Sequence, residues 1–190
     1  MEINILASKS PRRKDLLDQI GFTFSVVPSK YKEYSISDIP PEALAESLAR
    51  GKAMKVAQMN KNKIIIGADT VVSLNGNLFG KPRSNQESFK MLKNLSGKSH
   101  EVITGVSLIL LNENIDYTFN QITYVTLTNI TDEEILSYIK NFNTLDKAGS
   151  YGIQDGFSIF VKNINGCYYN VMGFPLSKFF KQYKIIFKSL

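Results

Sequence analysis

Two arginines follow a helix start near the N-terminus, in the stretch SKSPRRKDLL. Ser10 and Pro11 are typical of an N-cap and a first helical turn, so Arg12 and Arg13 lie at the positive end of the helix dipole. Each cation costs about 0.3–1 kcal/mol in that position. Helix N-terminal amides and guanidinium groups both bind phosphate oxygens. Two interpretations stay open at this point: a pair of exposed arginines, or a site for a polyphosphate.

Single charged residues elsewhere could complete such a site. Asp69 follows the apolar run III and a glycine, which places it at the end of a predicted strand, where open α/β sheets form their ligand crevices. Glu33 follows the second predicted strand, and Lys81 precedes a proline that stiffens its loop. Taken alone, Asp69 also fits a structural turn, Glu33 fits a surface charge, and Lys81 is a weak signal.

Several other kinds of site are excluded. His100 is the only histidine and Cys167 the only cysteine, so neither an internal disulfide nor a metal cluster built on histidines or several cysteines can form. No nucleophile elbow accompanies His100, and we expect both side chains to be structural. The stretch SGKS at 96–99 lacks the earlier glycine of a phosphate-binding P-loop and follows a helix instead of a strand.

The composition is that of a globular protein with an excess of basic residues. The chain has 190 residues, 43% of them hydrophobic, and a net charge of +6, which permits an anionic partner such as nucleic acid or a phosphate-bearing small molecule. No apolar run approaches the ~20 residues of a membrane span, and the N-terminus does not resemble a signal peptide. A single cysteine fits a reducing cytoplasm.

The elements that must position these residues alternate between strands and helices. We predict strands within 3–7, 22–28, 63–79, 99–111 and 116–130, and helices within 10–21, 40–59, 84–95, 132–142 and 174–190. The third strand segment is interrupted at 67–70 and ends in a hairpin, because Asn75-Gly76 suits a type I′ turn. This order predicts an α/β fold with a mixed sheet flanked by helices. The last helix either closes a core or lies on a membrane surface.

Seven stretches together resemble the Maf family of nucleoside triphosphate pyrophosphatases. They occur in family order from Leu6 to Leu176 and read LASKSPRRKDLL, LARGKA, IIGADTVV, GKP, LSGKSHEVITGV, DKAGSYGIQ and NGCYYNVMGFPL. The resemblance implies one domain over residues 1–190, with an elongated mixed sheet and two lobes around a deep cleft, as in Maf and ITPase-like proteins. It also implies hydrolysis of a nucleoside triphosphate to the monophosphate and pyrophosphate, with Mg²⁺ or Mn²⁺, in a cytoplasmic enzyme that often forms homodimers.

The resemblance also implies a role for individual residues. Asp69 matches the catalytic carboxylate and metal partner, and Glu33 matches an acidic metal-site residue, although KYKEY has lysines where relatives often carry a second acidic residue. The matching phosphate-binding positions are Ser8, Arg13, Lys52 and Lys81, and the positions that separate subfamilies are Arg12, Thr70 and Gln154.

The last three positions lead to a specific expectation about the substrate. Their combination resembles the branch that acts on dTTP and UTP, whereas the branch that acts on 7-methyl-GTP carries a bulky aromatic residue, a Gln and a Glu there. A non-catalytic regulator of septum formation is a third alternative. A basic nucleic-acid-binding module comes last, because the chain lacks a recognisable motif and clustered aromatic residues for base stacking.

Overall fold

The structure, a computed structural model, describes residues 4–31 and 39–187 of the chain. The strands are β1 Asn4–Leu6, β2 Phe24–Val26, β3 Ile65–Leu74, β4 Asn77–Phe79, β5 Ser99–Leu110, β6 Ile115–Leu127 and β7 Val161–Asn165. The helices are α1 Pro11–Gln19, α2 Pro41–Ala57, α3 Asn85–Leu95, α4 Asp132–Asn141, α5 Tyr168–Met172 and α6 Leu176–Phe187. Short 3₁₀ turns lie at Leu111–Glu113, Ala148–Ser150 and Gly156–Phe160.

These strands form one mixed seven-stranded sheet in the order β2-β1-β3-β5-β6-β7, with β4 also paired to β3. The pairs β1–β2 and β1–β3 are parallel, and all the others are antiparallel. Helices cover the sheet, so the predicted α/β fold with a mixed, helix-flanked sheet is confirmed. Long strands β5 and β6 pair along their whole length, from Ser99↔Thr126 to Leu110↔Ile115.

The hydrophobic core lies in separate clusters along the sheet. One cluster packs α1 and α6 against the sheet through residues such as Leu16, Phe174 and Phe179, and another packs α3 and α4 through residues such as Leu92 and Ile135. Helix α6 therefore closes a core, as one of the two interpretations of its apolar stripe expected. Across residues 4–31 and 39–187, no helix has the length and apolar character that a membrane crossing demands.

The predicted interruption at 67–70 is wrong. Strand β3 continues through this segment and pairs with β5 from Ile65↔Ile109 to Ser73↔Glu101. The glycine serves helix packing: a Cβ at Gly67 would lie 2.4 Å from the carbonyl oxygen of Ala49 in α2. The neighbouring strand β5 makes the same close contact with α2, because a Cβ at Gly105 would lie 2.2 Å from the carbonyl oxygen of Ala45. Helix α2 therefore lies directly on the backbone of β3 and β5.

Local sequence signals at the turns and caps are confirmed. Asn75 and Gly76 have φ values of 53° and 80°, and they connect β3 to β4 in a two-residue hairpin, as a type I′ turn requires. Ser10 caps α1, since its hydroxyl accepts from the Arg13 amide. Thr131 and Glu134 form a complete capping box on α4.

Candidate active site

A cleft opens where β3 loses its neighbours on one edge. Strand β1 pairs with β3 only at Ile65 and Ile66, and β4 pairs with it from Val72 onward. Residues 67–71 thus have no strand partner on that edge within the described chain. Asp69 and Thr70 are half-buried there, while the rest of β3 is buried. The sequence predicted Asp69 at the end of its strand, and this was wrong because β3 continues to Leu74. Asp69 instead lies beside the carboxyl end of β1, which is parallel to β3.

The structure brings nearly all of the expected site residues to this cleft, which has a volume of about 490 Å³. Its lining includes Ser8, Arg12, Arg13, Lys52, Asp69, Thr70, Lys81 and Gln154. Glu33, the expected second metal-site residue, lies outside the described residues. Residues distant by more than a hundred positions in sequence therefore meet in one cavity, at the carboxyl end of β1 where parallel strands commonly place ligand sites.

The Asp69 carboxylate accepts a hydrogen bond from the Lys52 ammonium and forms an ion pair with it. Both side chains are largely buried, with 15% and 17% of their surface exposed. Side chains alternate along a strand, so Asp69 shares a face with Gly67, the face on which α2 packs. The close approach of α2 at that glycine is what lets Lys52 reach the carboxylate.

Arg13 connects α1 to two other elements of the cleft. Its Nε donates to the carbonyl oxygen of Gly173 at 2.8 Å, and its terminal nitrogens donate to Ser8 Oγ at 3.2 Å and Thr70 Oγ1 at 3.0 Å. Thr70 Oγ1 also lies 3.0 Å from Thr104 Oγ1 on β5. The guanidinium is thereby fixed above β3, with Ser8 buried beneath it.

Arg12 is paired with an acidic residue from a distant segment. Its Nη1 donates to the Asp146 carboxylate at 2.9 Å, with 24% and 43% of the two side chains exposed. Burial alone would raise the pKa of Asp146, but hydrogen bonds from Arg12 and Lys147 and the charge of Lys147 together lower it. The cost of placing the Arg12 cation at the positive end of the α1 dipole is thus offset by the Asp146 carboxylate. A bound anion would offset it further.

Sequence reasoning missed several residues that line the cleft. Asp146 and Lys147 were overlooked although they begin the stretch DKAGSYGIQ. The partner of Asp146 in the cleft, Arg12, lies 134 positions away in the sequence. Tyr31 was also missed. Its ring occupies the space over α2 that a Cβ at Gly51 would enter, at 2.5 Å from Cζ, so the absence of a side chain at Gly51 leaves room for a cleft-lining aromatic residue.

The residues that we expected to be structural have structural surroundings. His100 is 1% exposed, and its Nε2 lies 2.7 Å from the Tyr151 hydroxyl. Burial lowers the pKa of His100 to about 4. The stretch SGKS ends α3, where Ser96 Oγ accepts from the Ile130 amide at 2.7 Å. Cys167 is half-buried, and its backbone amide donates to Thr123 Oγ1 at 3.0 Å.

The chain is similar to known proteins over almost its whole length. A protein of Carboxydothermus hydrogenoformans named dTTP/UTP pyrophosphatase is 46% identical, covering 93% of this chain and 95% of the relative. One of Ruminiclostridium cellulolyticum with the same name is 44% identical, covering 92% and 91%. The solved Ham1 protein of Staphylococcus aureus is similar at a TM-score of 0.39 and 15% identity, covering 66% of this chain and 72% of that one, a likeness too low to carry an argument. The family model described as Maf-like protein matches residues 4–184, and the chain belongs to this family.

Proposed function

We propose that this chain is a nucleoside triphosphate pyrophosphatase that hydrolyses dTTP and UTP at the α–β anhydride, giving the nucleoside monophosphate and pyrophosphate. The observation that carries the proposal is the buried Asp69–Lys52 pair in a cleft lined by further cations. A carboxylate among cations suits a reaction in which water attacks a highly charged phosphate. The shared name of two relatives at 44% and 46% identity supports the choice of substrate.

The proposed chemistry assigns separate tasks to the charged residues. The phosphate oxygens are held by the side chains of Ser8, Arg13, Lys52 and Lys81. The three cationic side chains among them also offset the negative charge of the phosphates. A triphosphate competes with Asp69 for the Lys52 ammonium, so binding leaves the carboxylate available to accept a proton from the attacking water. The electron pair of the scissile P–O bond leaves with pyrophosphate.

A divalent cation, Mg²⁺ or Mn²⁺, belongs to the same proposal. Residues 4–31 and 39–187 contain no group of three or more His, Cys, Asp or Glu side chains that could together hold a metal ion. The donors still fit such a cation, because Mg²⁺ commonly takes one or two carboxylates and completes its shell with substrate phosphates and water. Asp69 would be one ligand and Glu33, outside the described residues, the other. When bound, the cation neutralises charge on the phosphates.

The base would be recognised by other residues that line the same cleft. Gln154 is exposed and lines the cavity, and among the described residues its side chain makes no hydrogen bond. An amide both donates and accepts, which suits the edge of a pyrimidine. Arg12 and Thr70 complete the proposed specificity positions.

The proposal extends to the working form of the protein. We propose that residues 1–190 act as a single catalytic domain in the cytoplasm, able to form a homodimer, with nucleotides as ligands and no role in binding nucleic acid or membranes. The single cysteine and the absence of a nucleic-acid-binding sequence motif support this view.

Pyrophosphate release from a panel of nucleotides tests the proposal. The panel contains dTTP, UTP, CTP, GTP and 7-methyl-GTP, each with Mg²⁺, with Mn²⁺ or with EDTA. We expect the highest kcat/KM for dTTP and UTP, no turnover in EDTA, and recovery when metal is added. A preference for 7-methyl-GTP would assign the other branch of the family, and no turnover of any nucleotide would favour a non-catalytic role. Full turnover in EDTA would remove the metal from the proposal.

A further inference from the structure

The segment that carries Gln154 is fastened from outside the cleft by Tyr138 on α4. The Tyr138 hydroxyl donates to the Asp155 carboxylate, at 3.0 Å from Oδ1 and 3.2 Å from Oδ2, and accepts from the Gly152 amide at 3.1 Å. The side chain is buried, with 3% exposed, and it does not line the cleft. One hydroxyl thus holds the residues on both sides of the 153–154 dipeptide.

A chain of alternating charges continues from Asp155 into the cleft. Its carboxylate lies 3.5 Å from the Lys147 ammonium, which also lies 3.2 Å from Asp146. Asp146 in turn pairs with Arg12. The network therefore runs through side chains from Arg12, a proposed specificity position, to Asp155, the residue next to Gln154, and ends at Tyr138.

The backbone at Gly152 is packed closely against the side chains of Asp155 and Lys147. A Cβ there would lie 2.3 Å from Asp155 Oδ2 and 2.9 Å from Lys147 Cε. Asp155 also accepts from the Phe157 amide at 3.1 Å, which begins the following 3₁₀ turn. The loop is closed over Gly152, and Gln154 extends from it into the cavity.

We propose that Tyr138 is a positioning residue for base selectivity: by holding Gly152 and Asp155 it fixes where the Gln154 amide lies, although it never contacts the substrate. This inference rests on the proposed function, in which Gln154 binds the base. Misplacement of a recognition group by about 1 Å lowers rates by large factors, so loss of the hydroxyl affects the preferred base and leaves phosphate handling at Asp69 and Lys52 unchanged.

The substitution Tyr138→Phe isolates the hydroxyl. The ring keeps its neighbours Phe142 and Phe157, whose centroids lie 5.1 Å and 4.9 Å away. We expect the ratio of kcat/KM for dTTP to that for GTP to fall about tenfold, with kcat/KM for GTP within about twofold of wild type. Tyr183→Phe is the control, because it also removes a hydroxyl hydrogen bond, to Asn4 Oδ1 at 2.9 Å, and we expect no change in the ratio.

A second variant and a second measurement keep the result decisive. Asp155→Asn keeps an oxygen for the Phe157 amide but removes the charge facing Lys147, and it should lower the ratio in the same direction even if Tyr138→Phe fails to fold. Equal losses for dTTP and GTP in the folded variants would overturn the positioning role.

Amide hydrogen exchange of residues 151–155 separates this inference from the proposed function. Wild-type protein without nucleotide hydrolysis would overturn the function. In that case the exchange experiment still decides whether Tyr138 holds the loop: faster exchange at residues 153–155 as well as at Gly152 in Tyr138→Phe supports it, and exchange unchanged at residues 153–155 overturns it.

Discussion

Charged side chains in the cleft already have partners within the protein. Lys52 is paired with Asp69, Arg12 with Asp146, and Arg13 with hydroxyl and carbonyl oxygens. A nucleotide must therefore exchange one set of hydrogen bonds for another, and its net gain is the difference between the two sets. The hydrogen bonds within the protein also hold the cationic side chains in place before a nucleotide binds. Fewer side chains then have to be ordered on binding.

Asp69→Asn should abolish hydrolysis and leave the fold intact. The amide keeps an oxygen for Lys52 but cannot accept a proton from water, so we expect kcat to fall ~10²–10⁴-fold. Asp116→Asn is the matched control, since it removes the charge of a carboxylate paired with Arg50 at 2.6 Å. Steady-state kinetics with thermal melting checks both variants, and more than about a tenth of wild-type kcat in Asp69→Asn would contradict the assignment.

The two arginines of α1 should behave differently. Arg13→Ala should weaken all triphosphates alike, and Arg12→Ala should weaken dTTP and UTP more than purine nucleotides. Loss of a charged hydrogen bond costs about 1.5–3 kcal/mol, or roughly ten- to a hundredfold in kcat/KM. Kinetics on a pyrimidine and a purine nucleotide would separate the two roles; identical profiles for both variants would refute the distinction.

Melting curves of the ligand-free variants give an independent check on the arginines. Arg13 connects α1 to β3 and to Gly173, so Arg13→Ala should lower Tm by about 2–8 °C, given about 2–4 °C per kcal/mol for a chain of this size. Arg12 and Asp146 are partly exposed, and such pairs contribute little. A larger fall for Arg12→Ala than for Arg13→Ala would contradict these contacts.

At the scale of elements, the cleft results from unequal strand lengths. Strand β1 ends at Leu6, β4 begins at Asn77, and β3 spans the gap between them with Asp69 and Thr70 in its middle. The loop after β1 and the start of α1 then enter the gap. The catalytic and phosphate-binding candidates are thus brought together by topology, on β3, on helices α1 and α2 and on the loops after β1 and β4.

Local signals in the sequence predicted the parts of this arrangement that depend on near neighbours. The Ser10 cap, the Asn75-Gly76 turn and the long strands follow from propensity and periodicity. The break at Gly67 was wrong because the reason for the glycine lies in α2, a contact that spacing along the chain cannot reveal. The hydrogen-bond partners of Asp146 and Tyr138 are also separated from them in the sequence. The part of these two residues in the site could therefore be seen only in the folded structure.

The close contact between α2 and the sheet predicts a pair of contrasting glycine substitutions. Gly105→Ala places a Cβ 2.2 Å from the Ala45 carbonyl oxygen, and overpacking of this kind costs about 1–3 kcal/mol. We expect Tm to fall by about 2–12 °C. Gly80→Ala, where a Cβ meets nothing within 4 Å, should leave Tm unchanged. Equal melting temperatures for the two variants would mean that α2 can move away from β5.

At the scale of the whole molecule, burial of a titratable pair couples stability to pH. His100 lies inside the core beside Tyr151, whose pKa burial raises. The Nδ1 atom of His100 has no hydrogen-bond partner in the part of the chain that the structure describes. A proton added to the ring would be buried without an acceptor, which explains why the folded protein disfavours the charged form.

Unfolding free energy should therefore fall as the pH falls from about 6.5 to about 4. The pKa of His100 is lowered from 6.5 to about 4 in the folded protein, so in this range the unfolded chain binds the proton and the folded protein does not. This difference in the pKa of His100 between the unfolded and folded states corresponds to about 3 kcal/mol of unfolding free energy. That contribution is fully present above the unfolded pKa and is lost at about pH 4. Urea denaturation from pH 4 to 7.5 measures it.

His100→Gln supplies the comparison for that experiment, because carboxylates also titrate in the lower part of the range. The glutamine cannot take up a proton, so the slope of unfolding free energy against pH should be smaller in the variant. Parallel profiles for the two proteins would show that the imidazole is not the group responsible.

The backbone contacts at Gly67 and Gly105 have a consequence for how this scaffold could be diversified. A side chain at either position would collide with the backbone of α2, on the face of the sheet that carries Asp69. Arg12 is instead held by an ion pair with Asp146, and Gln154 lies in a loop that is held from outside the cleft. Mutational tolerance should accordingly differ: a library varied at 12 and 154 should contain folded proteins with altered base preferences, while most members of one varied at 67 and 105 should have a lowered Tm. The sheet positions 67 and 105 should therefore accept fewer substitutions than the cleft positions 12 and 154.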